Sequence, residues 1–521
     1  MSGQTQLPAL PSTRCLLGMA EELQVYILLE LAPVDILACM KACRALEELV
    51  KRTPAVQYKL ELGLAGMVDG PAQGVFVAKR LEQLRAYQAA WRENDIPMQT
   101  VVIPRGAPRP YFKMLRPASV FSGITEEANV MKIKEDLVRG IDIQGSAVDI
   151  AQNLVVVTKL ELGELPELFI LSLDGAFHPL AANPHLEGDA ELSICIDPQE
   201  TLEICGDLIA WSIATDSTGI TVRNWKTGCT VWTSGEWHDE NPMFYLRCHF
   251  LDPTHILIVE NLNLYIHEVD PAQPNCNASY DHALCTLKLP ALAGKKGSHA
   301  VESDIRIPPV YPSADALFQR DPALTLLTLK FSACDDPIWR SSASTPCKSF
   351  VALVPLSTLF AQLERTRNKS KTSPPEGEKV RKGRKAKVAS WEEWSPLGAR
   401  LIEVKDDGDF RMCAMGSQCL IVPCGKEGET KEDVHLFDAH PLAGDAPHAE
   451  VDLSDSVVRA GECITDPEWF VNPVHNTLPY RVARKTIDRS AEPGARQYTG
   501  ELSISHDGLV GVSYKLPPQK K

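Results

Sequence analysis

No stretch of this chain is apolar for long enough to cross a bilayer, since its longest uninterrupted apolar runs are about six residues and a spanning helix needs ~20. The first twenty residues also lack a basic start followed by an apolar run, so no secretory leader is expected. Paired cysteines are missing too: the 15 cysteines form an odd set without the short spacings of a zinc site or a small disulfide framework. Buried thiols in a reducing compartment, cytoplasmic and/or nuclear, are the expectation, and the sequons at Asn277 and Asn368 are then chance matches. Cys39 and Cys43 lie four apart with no further ligand nearby, which fits packing better than metal. Cys413, Cys419 and Cys424, with His435 and His440 downstream, are too irregularly spaced to specify zinc. Absent as well are the Gly-rich dinucleotide loop, the phosphate-binding Gly-Lys-Ser/Thr loop, the Gly-x-Ser-x-Gly elbow and the His-Glu-x-x-His pair. His238-Asp239-Glu240 is the nearest approach to an acid–base cluster, but neighbours on an irregular stretch seldom converge on one substrate atom. Neither enzymatic activity nor a cofactor or metal is expected.

What is present fits a soluble globular protein, with 44% hydrophobic and 23% charged residues. At 521 residues the chain has room for two to four domains at ~150 residues each. Its net charge of −15 is unevenly spread: Arg365 to Lys387 carries ten Lys or Arg against Glu376 and Glu378, a local +8 that leaves −23 for the rest. An acidic body discourages non-specific nucleic-acid binding.

The segment Glu22 to Val50, ELQVYILLELAPVDILACMKACRALEELV, reads as two helices joined by a turn. Leu23, Ile27 and Leu31 recur every four residues in the first, with Leu28 on the adjoining flank. Ile36, Leu37, Met40, Cys43, Leu46, Leu49 and Val50 give the second a broad apolar face. Pro33 ends the first helix, and Asp35 is placed to cap the second. So many apolar positions require cover, either from the rest of the chain or from another subunit.

Glu22-Leu23, Ile27-Leu28, Leu31, Pro33-x-Asp35-Ile36-Leu37 and Cys43-Arg44 with Leu46 and Leu49 resemble the F-box, a three-helix module. That resemblance covers about residues 15 to 60. The family's opening Leu-Pro falls here on Met19-Ala20, and its late aromatic falls on Leu46. The resemblance implies a substrate-receptor subunit of an SCF-type ubiquitin ligase, with Leu23, Ile27, Leu31, Pro33, Ile36, Leu37 and Leu46 forming the helical core or the surface that binds the adaptor. The adaptor and cullin would be its partners, together with an unspecified protein substrate.

Residues 61 to 95 continue the helical texture, with Val77, Leu81, Leu84 and Trp91 on one side. Beyond a boundary near 95 to 110, prolines and short strand-like runs take over. The most regular runs are Leu154–Lys159, Leu208–Ile213, His255–Glu260, Thr325–Phe331, Gln418–Cys424, Leu478–Lys485 and Gly508–Tyr514. The segment Asp207 to Trp232, DLIAWSIATDSTGITVRNWKTGCTVW, resembles one blade of a WD-repeat propeller. The resemblance implies an inner strand, a middle strand ending in Asn224-Trp225, a turn at Gly228 and an outer strand, with Val222 and Trp225 buried between blades. The expected fold is therefore a small helical module followed by a large all-β domain over about 110 to 516, most simply a β-propeller. Taken as inner strands, the seven runs suit about seven blades, although their starts are spaced 54, 47, 70, 93, 60 and 30 residues apart where regular blades repeat every ~40–45. A large sandwich or two smaller β-domains is the alternative. Leu502-Ser503-Ile504 and Gly508–Tyr514 are candidates to close the ring with strands near Val138 to Ile143.

Residues 362 to 390, rich in Lys, Arg, Ser, Pro and Glu, bury too little to order themselves and are expected to be disordered. Their Lys379 to Lys387 stretch resembles a nuclear import signal or nucleic-acid patch, with a solvated loop as the plain alternative. A non-catalytic propeller scaffold that binds acidic partners or nucleic acid through this loop is therefore the second functional reading.

Overall fold

In a computed structural model the described residues are 16–92, 98–103, 143–149, 152–159, 165–188, 200–213, 219–234, 247–272, 274–278, 282–293, 297–305, 316–334, 347–372, 387–404, 410–423, 431–443, 457–458, 463–488, 502–504 and 509–514. Helices come first: α1 (Glu21–Glu30), α2 (Pro33–Ala42), α3 (Arg44–Arg52), α4 (Pro54–Leu64) and α5 (Val77–Arg92). The two-helix reading of Glu22 to Val50 needs correction, because Cys43 is extended (φ −149°, ψ 118°) and separates α2 from α3. A continuous helix would carry Leu46, Leu49 and Val50 away along its axis at 1.5 Å per residue. The break folds them back onto Leu28, Ile36, Val56 and Leu60. Pro33 occupies the first helical position, where its missing N–H costs nothing. Ala32 is therefore the cap, and Asp35 sits inside the first turn without a capping bond.

The remaining chain forms a succession of antiparallel meanders. Sheet A holds Ile143–Asp149, Leu154–Lys159, Glu167–Ser172 and His185–Glu187; sheet B holds Glu200–Cys205, Leu208–Ile213, Gly219–Asn224 and Thr230–Ser234. Sheet C holds Arg247–Asp252, His255–Glu260, Asn263–Glu268 and Cys285–Lys288; sheet D holds Gly297–Ile305, Leu326–Cys334, Cys347–Pro355 and Arg400–Val404. Sheet E holds Phe410–Met415, Gln418–Pro423, Lys431–Ala439 and Tyr480–Asp488, with Val457–Val458 at its edge. Sheets B and C each gain a fifth strand that runs parallel to the fourth, Asn275–Ala278 and Lys387–Ala389.

Consecutive sheets pack face to face. Leu154, Val156 and Ile170 of A meet Ile209 and Trp211 of B, and Ala210 and Val222 of B meet Phe250 and Ile258 of C. Leu257 and Ile266 of C meet Leu329 and Phe350 of D, while Val351 and Leu353 of D meet Phe410 and Ile421 of E. The first strands of A to E lie beside one another in sequence, which is the radial arrangement of a propeller.

Six of the seven predicted runs are second strands of a meander or, in one case, a fourth; none is an innermost strand. Second strands are buried on both faces, as His255–Glu260 is throughout, and so read as unbroken apolar runs. Innermost strands carry polar residues and escape that signal. The runs at Gln418 and Leu478 share sheet E, so the seven candidates mark six sheets among the described residues.

The sixth sheet, F, corrects the pairing expected for the last strands. Leu509–Tyr514 pairs with Leu502–Ile504 and, in parallel, with Met98–Ile103, register Met98↔Leu509 to Ile103↔Tyr514. Ile143 instead starts the first strand of sheet A, and residues 138 to 142 lie outside the described residues. The run MQTVVI, rich in β-branched residues, supplies the partner. The expected disorder over 362 to 390 also gives way at both ends. Helix α6 (Leu356–Thr372) seats Leu359 and Leu363 in the core between C and D, and Lys387–Ala389 joins sheet C. A short helix, α7 (Trp391–Trp394), follows, capped by Ser390 and Glu393, with both tryptophans buried.

Burial also sets a pH dependence. His267 packs its ring edge-on to Trp232 at 5.4 Å, and burial, with His282 nearby, pushes its pKa from 6.5 down to about 4. Burial likewise lowers His440, opposed by Asp438 and assisted by Arg481. The folded chain binds fewer protons at such sites than the unfolded one, so their stability is intact above the unfolded pKa near 6.5 and is lost as pH falls toward the folded value. Denaturant titrations between pH 7.5 and 4.5 should show a His267→Leu variant losing about 2–3 kcal/mol less stability than the parent over that range.

Candidate functional site

The helical module is built around a core of its own. Leu28, Ile36, Leu37, Leu46, Leu49 and Val50 are buried together with Val56, Leu60 and Leu64, and Leu442 of the β-domain packs against them. Among the residues predicted to bind a partner, Ile36, Leu37 and Leu46 therefore belong to this core. Ile27, Leu31 and Pro33 are half-buried. Pro33 lies against α4 where only glycine fits, since a Cβ on Gly63 would stand 2.4 Å from the proline Cγ. Glu21 of α1 receives a hydrogen bond from Arg52 of α3, and Lys59 of α4 donates to the Leu29 carbonyl, which ties the helices together.

Leu23 alone of the predicted set is fully on the surface, 50% exposed. It has company that the sequence pattern did not mark: Leu17 (48%), Met19 (40%), Tyr26 (63%) and Val34 (53%) are exposed too. At 100° per residue, Leu23, Tyr26 and Ile27 share one side of α1, and the buried Leu28 points to the other. The four-residue repeat therefore does not stay on one surface: Leu23 is exposed, Ile27 is half-buried, and Leu31, just past the end of α1, packs against the core that Leu28 enters. Tyr26, one turn from Leu23, was the available signal. Such neighbouring exposed side chains give α1 and the start of α2 an apolar surface backed by a closed core.

The module is fastened to the β-domain. Met67–Asp69 pairs with Phe318–Arg320, which lies between the first two strands of sheet D. Tyr58, Leu62, Leu81, Leu84 and Tyr87 of α4 and α5 bury Leu317 and Phe318. The Tyr58 hydroxyl donates at 2.8 Å to Asp69, and burial, followed by that carboxylate, pushes its pKa well above the ordinary phenol range. Arg320 is almost wholly excluded from solvent, and its Nη2 donates to Gln418 Oε1 at 2.6 Å and to Tyr87 Oη at 3.3 Å. Trp91 packs on the face of sheet E turned away from sheet D. Of the stripe predicted along this helix, Leu81 and Leu84 are buried, while Val77, in the first turn, is exposed.

In the blade-like segment the expected inner strand, Leu208–Ile213, is the second strand, with Glu200–Cys205 inside it, while the Asn224 to Gly228 turn and the burial of Val222 and Trp225 follow the resemblance. Trp225 is buried, donates from Nε1 to the Gly206 carbonyl at 3.1 Å, and meets the His178 ring edge-on at 4.7 Å. Asn224 Oδ1 accepts from the backbone N–H groups of Lys226 and Thr227, and Gly228 takes φ 76°, a conformation that favours glycine. Cys413 and Cys419 are separate core residues. Among the described residues no three His, Cys, Asp or Glu side chains gather as metal ligands.

No family model matches the chain, and no curated protein matches it. Similar solved structures include the WD40 domain of SCAP from fission yeast, 9% identical with a TM-score of 0.25 over 65% of this chain and 81% of that one. BamB from Moraxella catarrhalis is another, 13% identical with a TM-score of 0.25 over 56% and 73% of the two chains.

Core and surface positions of the module should separate cleanly on substitution. Ile36→Ala and Leu28→Ala each remove a fully buried side chain and should cost about 2–5 kcal/mol, whereas Leu23→Ala and Tyr26→Ala should stay within about 0.5 kcal/mol. Urea denaturation with limited proteolysis of the helical segment checks this.

Proposed function

We propose that this chain is the substrate-receptor subunit of an SCF-type ubiquitin ligase, with the adaptor docking on the helical module and a target protein held by the β-domain. The observation that carries the reading is the outward apolar face of the module. Five of the twelve large hydrophobic side chains that stand exposed among the described residues fall between Leu17 and Val34. Such concentration marks an interaction surface more than chance scatter does. The resemblance of Leu31, Pro33, Asp35, Ile36 and Leu37 to the F-box names the kind of partner. The core residues Ile36, Leu37 and Leu46 then act by holding the docking face in shape, and Met19, Leu23 and Tyr26 make the contact.

The fastening at Arg320 and Phe318 supports the same reading. A receptor raises the effective concentration of its target at the ligase only when the spacing between its two binding regions is defined. Here the module and the β-domain share a strand pair and a buried core.

Affinity purification of the intact chain should recover the ligase adaptor and cullin, and Leu23→Asp with Tyr26→Asp should reduce that recovery at least tenfold while the melting temperature stays within a few degrees. These surface positions make a cleaner test than Ile36, where a buried charge unfolds the module. Undiminished recovery in the double variant, or an adaptor that never copurifies, would remove the basis of the assignment.

A further inference from the structure

The innermost strands of sheets B, C and D bring together three side chains that no motif in the sequence announces. Glu203 stands on Glu200–Cys205, His249 on Arg247–Asp252 and Ser303 on Gly297–Ile305. The His249 Nδ1 lies 2.6 Å from Glu203 Oε1, and its Nε2 lies 2.7 Å from Ser303 Oγ. The second oxygen of Glu203 accepts the Phe250 backbone N–H at 3.0 Å, which fixes the carboxylate. An oxygen that only accepts places the imidazole proton on Nδ1, so Nε2 presents its lone pair to the serine hydroxyl. His249 is buried and Ser303 is half-buried. The register of the Ser303 strand slips between His299 and Glu302, a bulge of the kind that re-aims a side chain.

We propose that Ser303 is an activated nucleophile and that the inner rim of the β-domain hydrolyses a carboxylic ester, with His249 as general base and Glu203 as its positioning residue. The constellation of hydroxyl, imidazole and carboxylate is recognised by geometry and arises on unrelated folds. Attack by Ser303 Oγ forms an O–C bond to the ester carbonyl carbon while the hydroxyl proton passes to His249 Nε2. The carbonyl–alkoxy bond then breaks, and Nε2 returns the proton to the departing alcohol. Water, deprotonated by Nε2, attacks the acyl-serine, releases the carboxylic acid and restores the hydroxyl. No oxidant or reductant enters, and Glu203 stays ionised throughout, holding Nδ1–H and stabilising the imidazolium.

The test uses the full-length chain and a fluorophosphonate probe, which forms a stable phosphonyl ester with an activated serine. Labelling should map to Ser303 by peptide mass and exceed that of heat-denatured chain at least tenfold. It should vanish in Ser303→Ala, and it is read on the purified chain alone, so the fate of the docking face does not bear on it. His249→Gln should reduce labelling at least tenfold, and Glu203→Gln should slow it and move the pH profile of labelling, an effect that lost packing would not produce. Labelling no higher than in the denatured chain, or retained in Ser303→Ala, overturns the proposal and leaves the three residues as a clamp between sheets.

Discussion

A guanidinium buried where helices and sheets meet governs how the two parts of this molecule sit together. Arg320 has almost no solvent contact, and taking a charge out of water costs several kcal/mol unless hydrogen bonds replace the lost hydration. Those bonds come from opposite sides, Gln418 of sheet E and Tyr87 of α5. The stem of the arginine lies so close to Gly416, in the left-handed region at φ 58°, that a Cβ there would meet it at 2.4 Å. A one-sided displacement of either part would leave the charge short of partners. The junction therefore behaves as a joint with one seated position.

Much of the β-domain was legible because its second strands are buried on both sides. Leu154–Lys159, Leu208–Ile213 and His255–Glu260 begin and end where their apolar runs do, and the Asn224 to Gly228 turn follows from the needs of a tight reversal. The innermost strands were not legible, since they carry Glu203, His249 and Ser303 among few apolar neighbours. The partner of Leu509–Tyr514 was hidden for a related reason: Met98–Ile103 follows a proline and stands apart from the other strands in sequence, and nothing local says that its partner lies some 400 residues away.

The helical module shows how little periodicity alone says about burial. A four-residue repeat identifies a face of α1 without saying what covers it, and here the inward direction is set by Leu28 and by the fold-back at Cys43. That fold-back depends on tertiary packing and has no strong local signal, because Cys43 continues the apolar spacing of α2. The order at the ends of the 362 to 390 segment was hidden similarly. Leu359 and Leu363 are few, yet they join the core shared by sheets C and D.

The route of that segment has a mechanical side. The chain leaves sheet D at Pro355, crosses as α6 to the seam with sheet C, lends C its outermost strand through Lys387–Ala389, and only then returns to supply the last strand of D. Two neighbouring meanders are thus sewn by a single thread, which ties the separation of one from the other to the loss of the α6 packing and of the Lys387–Ala389 pairing.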